Sequence, residues 1–174
     1  YLIDGNTYYL RKGITNSKMK SILQCILSIF NSLLNIQTND HIKLKNIITQ
    51  KLESSPTLFK SLSNGLISRL FKPTANNSAV HQYIRYIFDE HKELDIRLVW
   101  DLFSRPGIIS TDGLNIIVVT SDKILCPPNI DATKYYDNDK KCILLYTRTE
   151  SELFYEPVYT VTYTKQETRD NCLL

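Results

Sequence analysis

Up to Arg105 the apolar residues recur at intervals of three and four, and beyond it they gather into short continuous or alternating runs. Met19, Ile22, Leu23, Ile26, Leu27, Phe30, Leu33 and Leu34 fall on one stripe, the spacing of an amphipathic helix. Asn16 or Ser17 ahead of them can accept the free amides of a first helical turn, so the pattern predicts a long central helix over residues 18–36. Ile42, Leu44, Ile47, Ile48 and Leu52 predict a second helix, capped by Asp40, with Pro56 marking its end or the start of the next helix. A third over residues 57–71 is broken near Asn64-Gly65. Residues 79–94 place Val80, Tyr83, Ile84 and Ile87 on one face and Arg85, Asp89, Glu90 and Lys92 on the other. Asp95 then caps a short helix through Leu98, Val99, Trp100 and Leu102 that ends at Pro106-Gly107.

The second pattern is that of strands. Residues 114–120 (LNIIVVT) lie between Asp112-Gly113 and Ser121-Asp122 and predict a buried central strand. Residues 141–148 (KCILLYTR) form the next run. Residues 154–164 contain Pro157, which predicts two strand pieces or an edge position, because proline cannot donate to a ladder. At the N-terminus Asp4-Gly5-Asn6 signals a turn before Thr7-Tyr8-Tyr9-Leu10, the signature of a small hairpin. The expected fold is therefore α+β, a helical N-terminal half packed on a small mixed or mainly antiparallel sheet.

Composition changes this picture little. The 174 residues suit one domain, 43% are hydrophobic and 22% charged, and the net charge is +3, too small by itself to specify nucleic acid. The chain opens on Tyr1 without Met and closes on a polar run, which reads as a piece of a larger polypeptide. Cys25, Cys126, Cys142 and Cys172 form no CxxC pair, so neither a zinc ribbon nor a redox dithiol is expected. The apolar stretch 22–34 is interrupted by Gln24, Ser28, Asn31 and Ser32, and no membrane span is expected. A bias toward Ile, Asn, Lys and Tyr reflects AT-rich coding.

Candidate chemistry is sparse. His41, His81 and His91 lack the i, i+4 spacing of a metal pair, so no metal or cofactor is expected. Cys25 falls on the apolar stripe, the place of a core cysteine. Asp101 and Glu156 each stand beside an aromatic in an apolar stretch and read as capping or hydrogen-bonding groups. The KCILLYTR strand carries no Glu-x-Lys triplet of a PD-(D/E)xK nuclease. Basic residues are dispersed, with Lys43, Lys45, Lys51 and Lys140-Lys141 among acidic neighbours. Arg11, Lys12, Lys18 and Lys20 are the densest group and the candidate binding cluster, together with Trp100, Tyr155 and Glu156.

The order LVWDLFS, GLNIIVV, KKCILLYTR, FYEPVY resembles the C-terminal layout of the OTU-type cysteine proteases, papain-like deubiquitinating enzymes. In that family a His-Tyr-x-x-Val segment carries the catalytic histidine; here Phe154-Tyr155-Glu156-Pro157-Val158 occupies the comparable segment, with Phe154 in the histidine place. The family's Asp-Gly-Asn-Cys segment sets the nucleophile at the start of a long buried helix. By position Ser17 matches it, whereas Asp4-Gly5-Asn6-Thr7 copies the letters but runs on into a strand. The resemblance implies a degenerate catalytic pair, Ser17 and Phe154, in a pseudo-enzyme that binds a protein, either ubiquitin or a viral partner. SRPGIISTDGLNIIVV, KKCILLY and FYEPVY also resemble an uncharacterised domain in large proteins of nucleocytoplasmic large DNA viruses. That implies host cytoplasm or virion as the location, with a role in virion structure or viral transcription. Two alternatives stay open. One is an active deubiquitinase or cysteine peptidase whose nucleophile was substituted or misplaced, with Ser17 or Thr7 at that position and His81 or His91 as base. The other is a nucleic-acid- or RNA-polymerase-associated viral factor, in which Arg11, Lys12, Lys18 and Lys20 would converge with Lys43 or Lys45.

Overall fold

The computed structural model describes residues 2–4, 7–14, 21–34, 41–127, 136–151, 153–162 and 172–173. Ser17, Lys18 and Lys20, and the expected caps Asn16 and Asp40, lie outside them. The helical half comprises α1 (Ser21–Leu34), α2 (His41–Ser54), α3 (Pro56–Ser61), α4 (Leu66–Leu70), α5 (Ala79–Phe88) and α6 (Ile96–Ser104). On α2 the buried residues Leu44, Ile48 and Leu52 recur every fourth position and form the stripe that faces the core. Each such side chain contributes roughly 1.5–3 kcal/mol by leaving water. Pro56 starts α3, where its missing N–H is harmless.

The expected break in the third helix falls on Ser63, Asn64 and Gly65, all in the left-handed region with φ of 48°, 53° and 82°. Two of these are not glycine, a conformation that needs outside support. Asp101 on α6 supplies it by accepting the Ser63 amide at 2.8 Å. Arg105 clamps the same carboxylate through two bonds of 2.9 Å. Asp101 is thus the hydrogen-bonding group its sequence context indicated.

The helix expected over residues 79–94 ends earlier, at Phe88. Ser78 caps its start by accepting the His81 amide. At its end Asp89 turns extended and accepts the His91 amide at 3.0 Å. Asp89-Glu90-His91-Lys92-Glu93 offers no apolar residue to bury, so the chain leaves the helix and returns to the core at Leu94. Asp95 then caps α6 through the Arg97 amide, as its sequence position indicated.

The strands are β1 (Leu2–Asp4), β2 (Thr7–Arg11), β3 (Leu114–Val119), β4 (Ile124–Leu125), β5 (Lys141–Tyr146), β6 (Glu156–Thr162) and β7 (Cys172–Leu173). They form one mixed sheet ordered β1-β2-β6-β5-β3-β4, with β7 also paired to β6. β3 and β5 are parallel, and every other pair is antiparallel. The N-terminal hairpin is therefore a wing of the main sheet, joined through β2 and β6.

Pro157 corrects another expectation, since β6 is continuous and lies between β2 and β5. Its ring nitrogen faces the place where β2 has just ended, and Lys12 N donates to the Pro157 carbonyl at 3.0 Å. The one bond that the missing donor would have made falls opposite Lys12, at the end of the β2 pairing, so β6 stays continuous.

Leu114, Ile116 and Val118 of β3 and Ile143 and Leu145 of β5 point to the helices, and one hydrophobic cluster takes in residues of both halves. The fold is α+β. Asn115, fully buried in β3, holds the turn before β5: its amide group donates to Asp137 O and accepts from Asp137 N.

Candidate functional site

The helical and strand halves are stitched together where α1 meets the chain entering β6. Ser21, in the first described turn of α1, donates to the Leu153 carbonyl at 3.1 Å and accepts the Tyr155 amide at 2.9 Å. One turn further on, the Cys25 thiol donates to the Tyr155 carbonyl at 3.3 Å. Ser28 and the Tyr159 hydroxyl, 3.1 Å apart, continue the seam. Ser21, Cys25 and Ser28 are spaced to share one helix face, and each uses a polar atom of the segment that leads into β6 or of β6 itself.

Beside this seam a cleft of about 480 Å³ opens, lined by Arg11, Tyr146, Arg148, Phe154 and Glu156 among others. Three of the residues singled out in the sequence, Arg11, Phe154 and Glu156, thus meet at one place. Arg11 Nε pairs with Glu156 Oε2 at 3.0 Å, and its guanidinium lies 4.9 Å from the centre of the Tyr146 ring. Glu156 is 16% exposed against 51% for Arg11, so the carboxylate forms the floor and the guanidinium the rim. Gly13 packs close to the same carboxylate, where a Cβ would stand 3.7 Å from Glu156 Oε1. Arg148 is exposed and has no ion pair among the described residues. Phe154 is 40% exposed, an aromatic at the cleft mouth.

Trp100 and Tyr155 are placed otherwise than a surface-binding role requires. Trp100 is 1% exposed, and its indole N–H donates to the Ile116 carbonyl at 3.1 Å. Tyr155 is also buried, and its hydroxyl accepts the Ile96 amide. Both hold α6 against the sheet and cannot touch a partner at the surface. Lys12 is exposed, with its ammonium 5.8 Å from the Tyr159 ring. Tyr146, Arg148 and Ser21 escaped the sequence reading. Arg148 was legible only as a cation just past an apolar strand, and nothing local marked Ser21.

The nucleophile chemistry of this region is muted. Burial, with the nearby Glu156 charge second, pushes the Cys25 thiol far up, so it stays a protonated thiol at neutral pH. The histidines lie elsewhere: His41 packs edge-on to Phe88, His81 pairs with Glu53 at 2.9 Å, and His91 follows α5. Among the described residues no three His, Cys, Asp or Glu side chains converge as a metal site. No described helix is long and apolar enough to cross a membrane. What the cleft offers is recognition chemistry: two guanidiniums for carboxylates or carbonyls, flanked by aromatic surface.

No protein-family profile matches the chain. No solved structure matches it either. A protein of Acanthamoeba polyphaga mimivirus, described only as uncharacterised, is 31% identical over 121 residues, which make up 68% of this chain and 7% of that protein. The chain is therefore similar to a small part of a giant-virus protein, in keeping with the viral origin that its sequence strings implied.

Proposed function

We propose that this chain is a non-catalytic, protein-binding domain of a large viral protein, laid out like an OTU-type protease and acting in host cytoplasm or virion. The observation that carries the reading is the Ser21 seam, which sets the described start of the long helix against the segment entering β6. In a papain-like enzyme that is where helix-borne nucleophile and strand-borne imidazole meet. Here the strand side presents Phe154 and Glu156, and the nearest thiol is buried and protonated. The cleft then serves as a recognition groove, with Arg148, which has no ion pair among the described residues, as its cation and Phe154 as its apolar contact.

The test is to incubate the purified chain with ubiquitin chains and an electrophilic ubiquitin probe, and to measure ubiquitin binding in parallel. The expected outcome is intact chains, no adduct, and saturable binding that Arg148→Ala weakens roughly tenfold, the loss of one charge-assisted contact. Chain cleavage or a covalent adduct overturns the non-catalytic reading, whereas a lack of binding removes ubiquitin and leaves a viral protein as the partner.

A further inference from the structure

Among the described residues, three lysines converge at a pocket that neither Arg11 nor Lys12 lines. Lys43 and Lys51 on α2, eight residues apart and so on the same helix face, and Lys141 at the start of β5 line one pocket of about 520 Å³. None of the three has a side-chain ion pair or hydrogen bond among the described residues. Asp112 is the one carboxylate among the lining residues, and its Oδ2 accepts the Thr111 hydroxyl at 3.1 Å. Three ammoniums facing one carboxylate leave excess positive charge in a concave site, where the field is focused and water shields it less than on a flat surface.

The wall opposite α2 is the loop 107–112. Gly107 has φ of 75°, and a Cβ there would stand 2.8 Å from Lys51 Nζ. Glycine at this position lets the ammonium rest against the loop. Ile47 on α2, half-buried, gives an apolar surface beside the cations, whereas the Ile108 and Ile109 side chains of the loop are almost fully buried in the core. A pocket of this size, with clustered charge at one part and apolar wall at another, is on the scale of one small molecule.

We propose that this pocket binds a phosphorylated small molecule of the nucleotide type, its phosphates held by Lys43, Lys51 and Lys141 and its organic part lying on Ile47. The site is independent of the cleft at β6. A nucleic-acid strand would need the basic track to continue beyond one pocket, and α2 carries Glu53 on its exposed surface next to His81.

Calorimetric titration of the protein with ATP, inorganic pyrophosphate and adenosine tests the proposal. ATP and pyrophosphate should bind, adenosine should bind far more weakly, and affinity should fall with added salt. Lys51→Gln and Lys141→Gln, on separate elements, should each weaken ATP binding roughly tenfold, the loss of one charge-assisted contact, while Lys60→Gln on α3 leaves it unchanged. Thermal melts of the same variants, unchanged from the parent, establish that the loss is local. Absence of ATP and pyrophosphate binding at millimolar concentration overturns the proposal. So does equal affinity for adenosine, indifference to both pocket substitutions, or binding confined to single-stranded DNA with affinity rising with length.

Discussion

Asp101 shows how a single carboxylate stabilises a backbone that would otherwise be strained. It accepts the amide of left-handed Ser63 and two bonds from Arg105 while being nearly buried. Asp101→Ala removes the acceptor and leaves that amide unpaired, so urea denaturation should read a loss of about 2–3 kcal/mol. Asp101→Asn keeps one acceptor oxygen and should lose less. Cys25 gives a chemical readout: an aromatic disulfide reagent at neutral pH should modify exposed Cys126 quickly and reach Cys25 only on unfolding. The core role of Cys25 and the hydrogen-bonding role of Asp101 were both legible, because a residue's place on an apolar stripe states its burial. Ser21 was not legible. A serine at a helix start ordinarily faces solvent, and its partners Leu153 and Tyr155 leave no trace in its neighbourhood.

At the level of elements, the seam between α1 and β6 is the joint on which the candidate site depends. Ser21→Ala leaves the Tyr155 amide without its acceptor and should cost about 1–3 kcal/mol in chemical denaturation. Ser21→Val, which adds bulk at a 6% exposed position, should cost more. Helix existence followed from periodicity, and so did the break at Asn64-Gly65. The end of α5 did not, because a charged run after an amphipathic helix fits either continued helix or loop, and only the turn at Asp89 decides. Pro157 misled for the opposite reason: the rule that proline avoids central strands concerns lost ladder bonds, and here the single bond lost falls at the end of the β2 pairing, opposite Lys12. The parallel pairing of β3 with β5 was equally hidden, since an apolar run does not encode the direction of its neighbour.

Across the whole molecule, one cluster of buried side chains spans both halves, and Trp100, the single tryptophan of the chain, sits within it. Its fluorescence and the far-ultraviolet dichroism of the helices should therefore lose signal at the same urea concentration, and separated midpoints would contradict a shared core. Alkaline stability is set by the same burial. Cys25, Tyr83, Tyr86 and Tyr155 all have folded-state pKa values above their free values of 9.0 for the thiol and 10.0 for the phenols, chiefly through burial, with Tyr155 pushed up to about 12. The folded chain keeps protons that the unfolded chain releases, so their contribution is whole below pH 9 and declines as pH rises through 10 toward 12. Melting temperatures measured from pH 7 to 11 should be flat at first and then fall. The helix-then-strand order was visible from the change of period alone, whereas the two pockets were not, because each gathers residues from distant elements. Distance along the chain also sets a clock. Ser21 is satisfied by backbone 132 and 134 positions downstream, and at a synthesis rate of roughly 5–20 residues per second α1 waits on the order of ten seconds for β6 to exist. During that interval its β6-facing side is a natural chaperone client, and a chain cut short before Leu153 would lack the backbone that satisfies Ser21.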